Sequence, residues 1–423
     1  MIAWKETLLE DLADEITVGF VGSMTDEYID SGIPFLRSKN VEPFIINWDD
    51  IRYISREFHQ KIKKSALSPG DVVIVRTGKP GAASIIPDSL IEANCSDLVI
   101  IRPNSKIDRR FLVYYLNSIA VKHINSYLVG AVQQHFNIGA ARQLKIKLPP
   151  LVQEQKAIAD VLSCLDAKIE NLRSQNQTLE KIAQTLFNHW FVDFEFPNNS
   201  GEPYKSSGGA MVASELGNIP VGWRVGVFGD LIEIIIDNRG KTPPIAQEGI
   251  LMMEGNQLFC DKSFPDYSAL SKQKFVSLKT YDIWFRSGHP KYLDVLCATV
   301  GTLPKWGFMP KNKKICIAQN IIALRANKNI CNPYWLRLFM NTRYFIKSML
   351  GRLLTTAQPS IKVGHMMSIG AIIPESRLVD NFSEIIEPLF LLIEVNSQQI
   401  QTLTKTRDIL LPKLMSGQIR VAE

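Results

Sequence analysis

The chain of 423 residues repeats itself at an interval close to half its length. Trp4-Lys5-Glu6-Thr7-Leu8 leads to Asp11-Leu12, and 219 residues later Trp223-Arg224-Val225-Gly226-Val227 leads to Asp230-Leu231. Asp71-Val72-Val73 with Gly78 returns 223 residues on as Asp294-Val295-Leu296 with Gly301. Leu98-Val99-Ile100-Ile101-Arg102-Pro103-Asn104 returns at that same offset as Ile321-Ile322-Ala323-Leu324-Arg325-Ala326-Asn327. Each copy then runs into a long apolar-periodic segment. The repeated unit is therefore a whole domain plus a helix, far longer than the period of a solenoid. Two copies of a reader suggest a target in two parts.

The interior can support such bodies, since 46% of residues are hydrophobic and 21% charged. A net charge of +6 biases the chain modestly toward polyanions, which permits nucleic-acid binding without requiring it. The six cysteines lie far apart and no pair has CxxC spacing, so neither a zinc ribbon nor a dithiol redox motif is indicated. Met1-Ile2-Ala3-Trp4-Lys5-Glu6 does not read as a signal peptide, and no apolar run reaches the roughly 18 residues of a membrane helix. The expected compartment is the cytoplasm, with reduced thiols and no membrane partner.

Residues 1–150 read as mixed α/β. Gly32-Ile33-Pro34-Phe35-Leu36-Arg37 is a turn into a strand, and Pro69-Gly70 punctuates before a strand from Asp71 to Val75. Phe111 to Leu128 has helical spacing, and Leu144 to Leu148 alternates until Pro149-Pro150 stops it. From Leu151 the period changes. Ile158, Leu162, Leu165, Ile169, Leu172, Asn176, Leu179, Ala183, Leu186 and Trp190 form a seam with a strict alternation of fours and threes. About 38 residues at a rise of 1.5 Å predict a rod of roughly 55 Å. Residues 195–219, rich in Pro and Gly, read as a linker. The second copy occupies 220–377. Its rod carries Phe382, Ile386, Leu389, Ile393, Asn396, Ile400, Leu403, Arg407, Leu410 and Leu414, each 224 residues beyond its counterpart, and ends at Ser416-Gly417. Antiparallel packing of the rods would set Asn176 opposite Asn396 and Leu172 opposite Ile400, and a buried Asn pair would fix the register at some cost in stability.

Residues for chemistry are hard to find. The chain has no Gly-rich phosphate loop and no glycine-rich AdoMet motif. Asn332-Pro333-Tyr334-Trp335 is superficially like an amino-methyltransferase motif. It lacks the second Pro, and a helix start with Pro in its first turn is the simpler reading. Asp166-Ala167-Lys168 and Glu154-Gln155-Lys156 lie on the rod, where chance accounts for their likeness to nuclease fragments. None of the six His has a metal partner at i+3 or i+4. No catalytic residue and no metal ligand is assigned.

Several segments together resemble one family, the specificity subunits of type I restriction–modification enzymes. They are Leu148-Pro149-Pro150-Leu151-Val152-Gln153-Glu154-Gln155 entering the central rod and Leu186-Phe187-Asn188-His189-Trp190-Phe191-Val192-Asp193-Phe194 leaving it. Ser214-Glu215-Leu216-Gly217-Asn218-Ile219-Pro220-Val221-Gly222-Trp223 opens the second half, and Leu411-Pro412-Lys413-Leu414-Met415-Ser416-Gly417 closes the chain. The resemblance covers nearly the whole sequence. It implies an α+β architecture of two α/β target-recognition domains, 1–150 and 220–377, separated by antiparallel coiled-coil helical regions at 151–194 and 378–423. It implies a non-catalytic subunit that reads a bipartite, asymmetric site in double-stranded DNA. Two methylase subunits and the restriction subunits would be its partners, and AdoMet, ATP and Mg2+ would sit in those partners, with no cofactor in this chain. The alternatives are a standalone or fused methylase or nuclease, and a coiled-coil scaffold that binds only proteins. The second copy departs from the first at Leu293, where the first has Gly70, and at Asp237-Asn238-Arg239-Gly240-Lys241-Thr242-Pro243-Pro244.

Base readout needs Arg, Lys, Asn, Gln or Ser on loops, and phosphate contact needs Lys or Arg. In the first copy the candidates are Arg37, Ser38, Lys39 and Asn40, then Arg76 and Lys79, then Gln133, Gln134, His135 and Asn137. In the second they are Asn238, Arg239 and Lys241, Asn256 and Gln257, Lys305, and Gln358 and Ser360. The Gln133–Asn137 and Thr355–Ser360 segments align at offset 223, so both copies place amides and hydroxyls at one point.

Overall fold

The computed structural model describes residues 4–78, 80–120, 136–259, 261–265, 273–311, 313–317, 319–354 and 359–421. The chain divides into two compact units. The first comprises residues 1–168 and 404–423, and the second residues 169–403. Each unit thus owns a recognition domain and a stretch of both long helices.

In the first unit the strand Val72–Val75 pairs antiparallel with Leu98–Pro103, with Ala83–Ile85 and Ala13–Val18 outside them in a four-stranded sheet. Val72, Ile74, Val99 and Ile101 face one core while Val73, Val75, Leu98 and Ile100 face another, so the central strands are apolar on both sides. A five-stranded sheet contains Ile33–Leu36 parallel to Ala93–Cys95. Lys5–Leu8 pairs with Lys145–Leu148 and delivers the chain to the central helix. The second unit repeats this plan. Val295–Ala298 and Ile321–Ala326 form the centre of a four-stranded sheet, flanked by Trp306–Phe308 and Ile232–Ile236. Ile250–Met253 runs parallel to Ile315–Ile317. Arg224–Val227 pairs with Gly370–Ile373. Even the helix after the second sheet returns, with Ser55 and Ser277 as the N-cap residues that accept from Phe58 N and Thr280 N.

The two long helices are Val152–Phe191 and Ser376–Met415, forty residues each. Within the first unit they run antiparallel. Glu154 meets Arg420 and Asp166 meets Arg407, and Ile158, Leu162, Leu411, Leu414 and Met415 share one core with Phe111 and Ile146. Within the second unit they are antiparallel as well, with Phe187 against Phe382 and a small apolar cluster of Ile169, Leu172, Ile400 and Leu403. Asn396 Nδ2 donates to Asn176 Oδ1 at 2.9 Å, and Asn176 Nδ2 donates to Ser397 Oγ at 3.2 Å. Gly417, at φ 74, ends the second helix by donating its N–H to Leu414 O.

Three differences from the sequence reading have simple causes. Residues 195–219 are not a bare linker. Met211–Ser214 and Gly217–Pro220 pair as a hairpin, and Phe196 stacks between Tyr204 and Trp223 at 4.5 and 5.4 Å. Gly and Pro marked the turns there, while the buried aromatics between them carry the fold. The helix expected from Phe111 to Leu128 is α-helical over Arg109–Tyr115 and widens to a π turn at Leu116–Ala120; residues 121–128 lie outside the described residues. Leu293, which replaces Gly70, keeps that glycine's left-handed backbone, with φ 65 against 88. The turn before the central strand therefore survives the substitution, at a strain of about 1–2 kcal/mol. Asn332 caps the helix Pro333–Met340, as its aligned position Arg109 at a helix start suggested.

Candidate nucleic-acid interface

In the first unit the strand Ile33–Leu36 ends in a tight 3-10 turn, Ser38–Asn40. Asn40 is wholly buried there: its Oδ1 accepts Arg37 N at 3.1 Å, and its Nδ2 donates to Asn47 O and Asp49 O. Asn40 is therefore a brace for the turn and not a reader. Its neighbours project outward. Lys39 is half exposed, and Arg37, Lys39 and Arg52 all gather on the Asp50 carboxylate. The Arg37 and Arg52 guanidinium carbons each lie 5.9 Å from the Tyr28 ring centroid. Arg52, Asp50 and Tyr28 were missed in the sequence. The only signal there was polarity, which Trp48-Asp49-Asp50 shares with any turn.

Two further candidate segments converge on this turn. Ser38 Oγ lies 3.4 Å from Thr77 Oγ1 and donates to Asp97 O at 3.1 Å. Arg76 N donates to the same Asp97 O, Phe136 N donates to Arg76 O, and Arg76 Nε returns to Phe136 O at 3.3 Å. Asn137 is exposed beside Phe136, its Oδ1 accepts Ala140 N as a helix cap, and its amide NH2 has no partner among the described residues. Lys79, Gln133, Gln134 and His135 lie outside the described residues.

The second unit builds the same junction with other side chains. Thr299 N donates to Asn320 O and Ile361 N donates to Thr299 O, the same bonds that Arg76 makes in the first unit. Gly301 N donates to Pro359 O, and Ser360 pairs through its backbone with Leu354. Gly255–Gln257 is a 3-10 turn after Ile250–Met253, the counterpart of Ser38–Asn40. Gln257 is buried and its Oε1 accepts Glu254 N at 2.6 Å, so it too is a brace, while Asn256 occupies the exposed position of Lys39. Asn238 spends both ends of its amide on the chain: Nδ2 donates to Gly288 O and Oδ1 accepts Ser287 N. Arg239 is doubly bonded to Asp237 at 2.9 and 2.6 Å, and these bonds, against the opposing effect of burial, hold the Asp237 carboxyl below its ordinary value. Lys241 is exposed in the same loop, and Gln319 Nε2 fastens that loop by donating to Thr242 Oγ1 at 2.7 Å. Lys305 lies apart, with its ammonium 5.8 Å from the Phe259 ring centroid beside Lys262. Gln358 lies outside the described residues.

Among the described residues no cluster of His, Cys, Asp and Glu could hold a metal ion, and no helix is long and apolar enough to cross a membrane. Each unit offers loops rich in hydrogen-bonding groups at the end of a sheet, a layout common to binding modules. Two such modules, each built onto antiparallel helix segments, define a class of double-headed recognition proteins.

Residues 3–181 match the family model described as type I restriction modification DNA specificity domain. The type I restriction enzyme MjaIX specificity subunit of Methanocaldococcus jannaschii is 25% identical, over 99% of this chain and 94% of its own length. The MjaVIII specificity subunit of the same organism is 22% identical over 97% of this chain and 88% of its own. A crystal structure of the type I restriction–modification system S subunit from M. genitalium shares the fold, with TM-score 0.54 at 15% identity over 98% of this chain and 96% of that one. The chain is thus similar over almost its whole length to type I restriction enzyme specificity subunits, and the specificity-domain match itself covers residues 3–181.

Proposed function

We propose that this chain is the DNA-reading subunit of a type I restriction–modification complex and carries no catalytic centre of its own. The observation that supports this most directly is the repeated junction. Residues 37–40, 76–78 and 136–137 converge in one unit, and 254–257, 299–301 and 359–361 converge in the other through equivalent backbone hydrogen bonds. The backbone is held in common while the side chains differ, with exposed Lys39 against exposed Asn256 and half-buried Arg76 against the fully buried Thr299. Two different readers on one scaffold suit a split, asymmetric target. Cations at the rim of the first unit would hold phosphates, so affinity should fall steeply with salt.

Two methylase subunits would dock on the helices. The exposed apolar side chains Ile182 on the central helix and Ile385, Leu392 and Val395 on the C-terminal one offer surface for that contact. AdoMet, ATP and Mg2+ would then belong to methylase and restriction subunits, and the complex would work in the cytoplasm. The test is genome-wide methylation mapping in a host with and without this chain. A two-part N6-methyladenine motif that disappears with the gene supports the reading. Methylation unchanged by deletion, or DNA binding that salt does not weaken, overturns it.

A further inference from the structure

Arg407 is the one cation among the twenty seam positions of the two long helices. Placing a charge in an apolar seam is costly unless it is paired. Arg407 is paired twice, to Asp166 of the central helix at 2.9 Å and to Asp408 of its own helix at 2.8 Å, and only 19% of its side chain is exposed. The remaining Asp166 oxygen accepts the Tyr114 hydroxyl at 2.6 Å, and Tyr114 belongs to the helix Arg109–Tyr115 of the recognition domain. The Arg407 guanidinium carbon also lies 5.6 Å from the Phe44 ring centroid, and that ring is 5.2 Å from Tyr114. Phe44 sits at the tip of the hairpin Val41–Glu42 with Ile45–Ile46, in a left-handed backbone at φ 72. The hairpin follows directly on the Ser38–Asn40 turn that displays Arg37 and Lys39. One cluster thus ties the reading turn and the domain helix to both long helices.

Tyr114, Asp166 and Arg407 are not repeated. The aligned positions in the second unit are Arg337 for Tyr114, Phe390 for Asp166 and Ala183 for Arg407. The cluster is therefore not part of the common scaffold. We propose that Phe44, Tyr114, Asp166 and Arg407 are positioning residues that fix the angle of the first recognition domain on its helices, and thereby the number of base pairs allowed between the half-sites. This rests on the function proposed above. A domain of ~150 residues has a radius of gyration of about 15 Å. A loop about 20 Å from the pivot moves one base-pair rise of roughly 3.4 Å when the domain tilts by about 10°. A small loss of angular restraint is enough to admit a neighbouring spacer length without touching any base contact.

The full chain is co-expressed with its methylase subunit in a methylation-free host and the methylated sites are sequenced. Wild type should methylate one spacer length. Arg407→Gln and Tyr114→Phe should keep both half-sites but raise methylation of sites one base pair longer or shorter by about tenfold relative to the main spacer. Arg407→Lys, which keeps a cation between Asp166 and Asp408 and leaves the Tyr114 bond in place, should keep the single spacer, so that the conservative variant separates loss of the ion pair from loss of the side chain. A single spacer in folded Arg407→Gln and Tyr114→Phe alike overturns the proposal. Should Arg407→Gln fail to fold, Tyr114→Phe, which removes only a hydroxyl, decides alone. A wild-type chain that yields no split motif overturns the functional reading, and this proposal with it.

Discussion

The first recognition domain meets its helices through an apolar core edged by a polar cluster, and the second meets its own through aromatic packing, the buried Glu394 and the half-buried Glu180. In the first unit Tyr114, Asp166 and Arg407 share hydrogen bonds near the surface. In the second, Phe187, Phe191, Trp335 and Phe382 interlock at 4.9–5.9 Å. Glu394 accepts the Tyr292 hydroxyl at 2.9 Å and Lys311 N at 2.9 Å. Glu180 accepts Ser263 N at 2.6 Å; burial raises its carboxyl above the ordinary value despite the nearby, fully buried Arg337. The strand order and turn hydrogen bonds are repeated while the side chains that anchor them are not. Backbone geometry carries the pseudo-symmetry, and each half is free to choose its own chemistry of attachment.

The sharpest way to break this comparison is Glu180→Ala. It removes the carboxylate that accepts Ser263 N and should cost the second unit about 3 kcal/mol. Urea unfolding followed by hydrogen exchange should show the loss in residues 220–377 while the first unit keeps its protection; equal loss in both units would mean that the anchors are coupled. Asn396→Ala should cost about 1–3 kcal/mol, because Asn176 loses its buried partner. Replacing both Asn by Leu should recover that stability, and failure to recover it would remove the Asn pair as the register device.

Smaller effects probe the readers. Arg37→Ala should weaken specific binding by about 1–3 kcal/mol and relax one position of the motif. Uniform weakening across all sequences would instead make Arg37 a phosphate contact. Lys39→Ala should lower the salt slope by about 1, whereas Asn256→Ala at the equivalent position should leave the slope unchanged. The weakest effect concerns pH. Asp237 has a folded value below its unfolded one, so its contribution is complete above about pH 3.9 and is lost as the pH falls through the lower folded value. Limited proteolysis at Lys241 should speed up only below that pH, and Asp237→Asn should abolish the change.

Much of the architecture was legible because periodicity is a backbone-scale signal. The seam from Ile158 to Trp190 and the strands at Val72 and Val295 are long enough for burial to impose a pattern. The interface was less legible because polarity does not say which way a side chain points. Asn40 and Asn256 read alike as candidates, yet one is sealed under its turn and the other is exposed. The match between Ser38–Asn40 and Gly255–Gln257 is invisible in the sequence because no residue identity survives in the two turns; only the bond from the third amide back to the preceding backbone does. Asp50 and Arg52 become conspicuous only when the chain brings them beside Arg37.

The division of the chain into units also has a consequence for synthesis. The second unit is continuous, whereas the first needs residues 404–423 to complete it. Leu411, Leu414 and Met415 fill the core that Phe111 and Ile158 begin. At 5–20 residues per second the roughly 240 intervening residues occupy a ribosome for about 10 to 50 s. The domain that emerges first must therefore wait for its last helical turns, and a nascent chain arrested before Thr404 should leave residues 1–150 open to protease while a released chain does not.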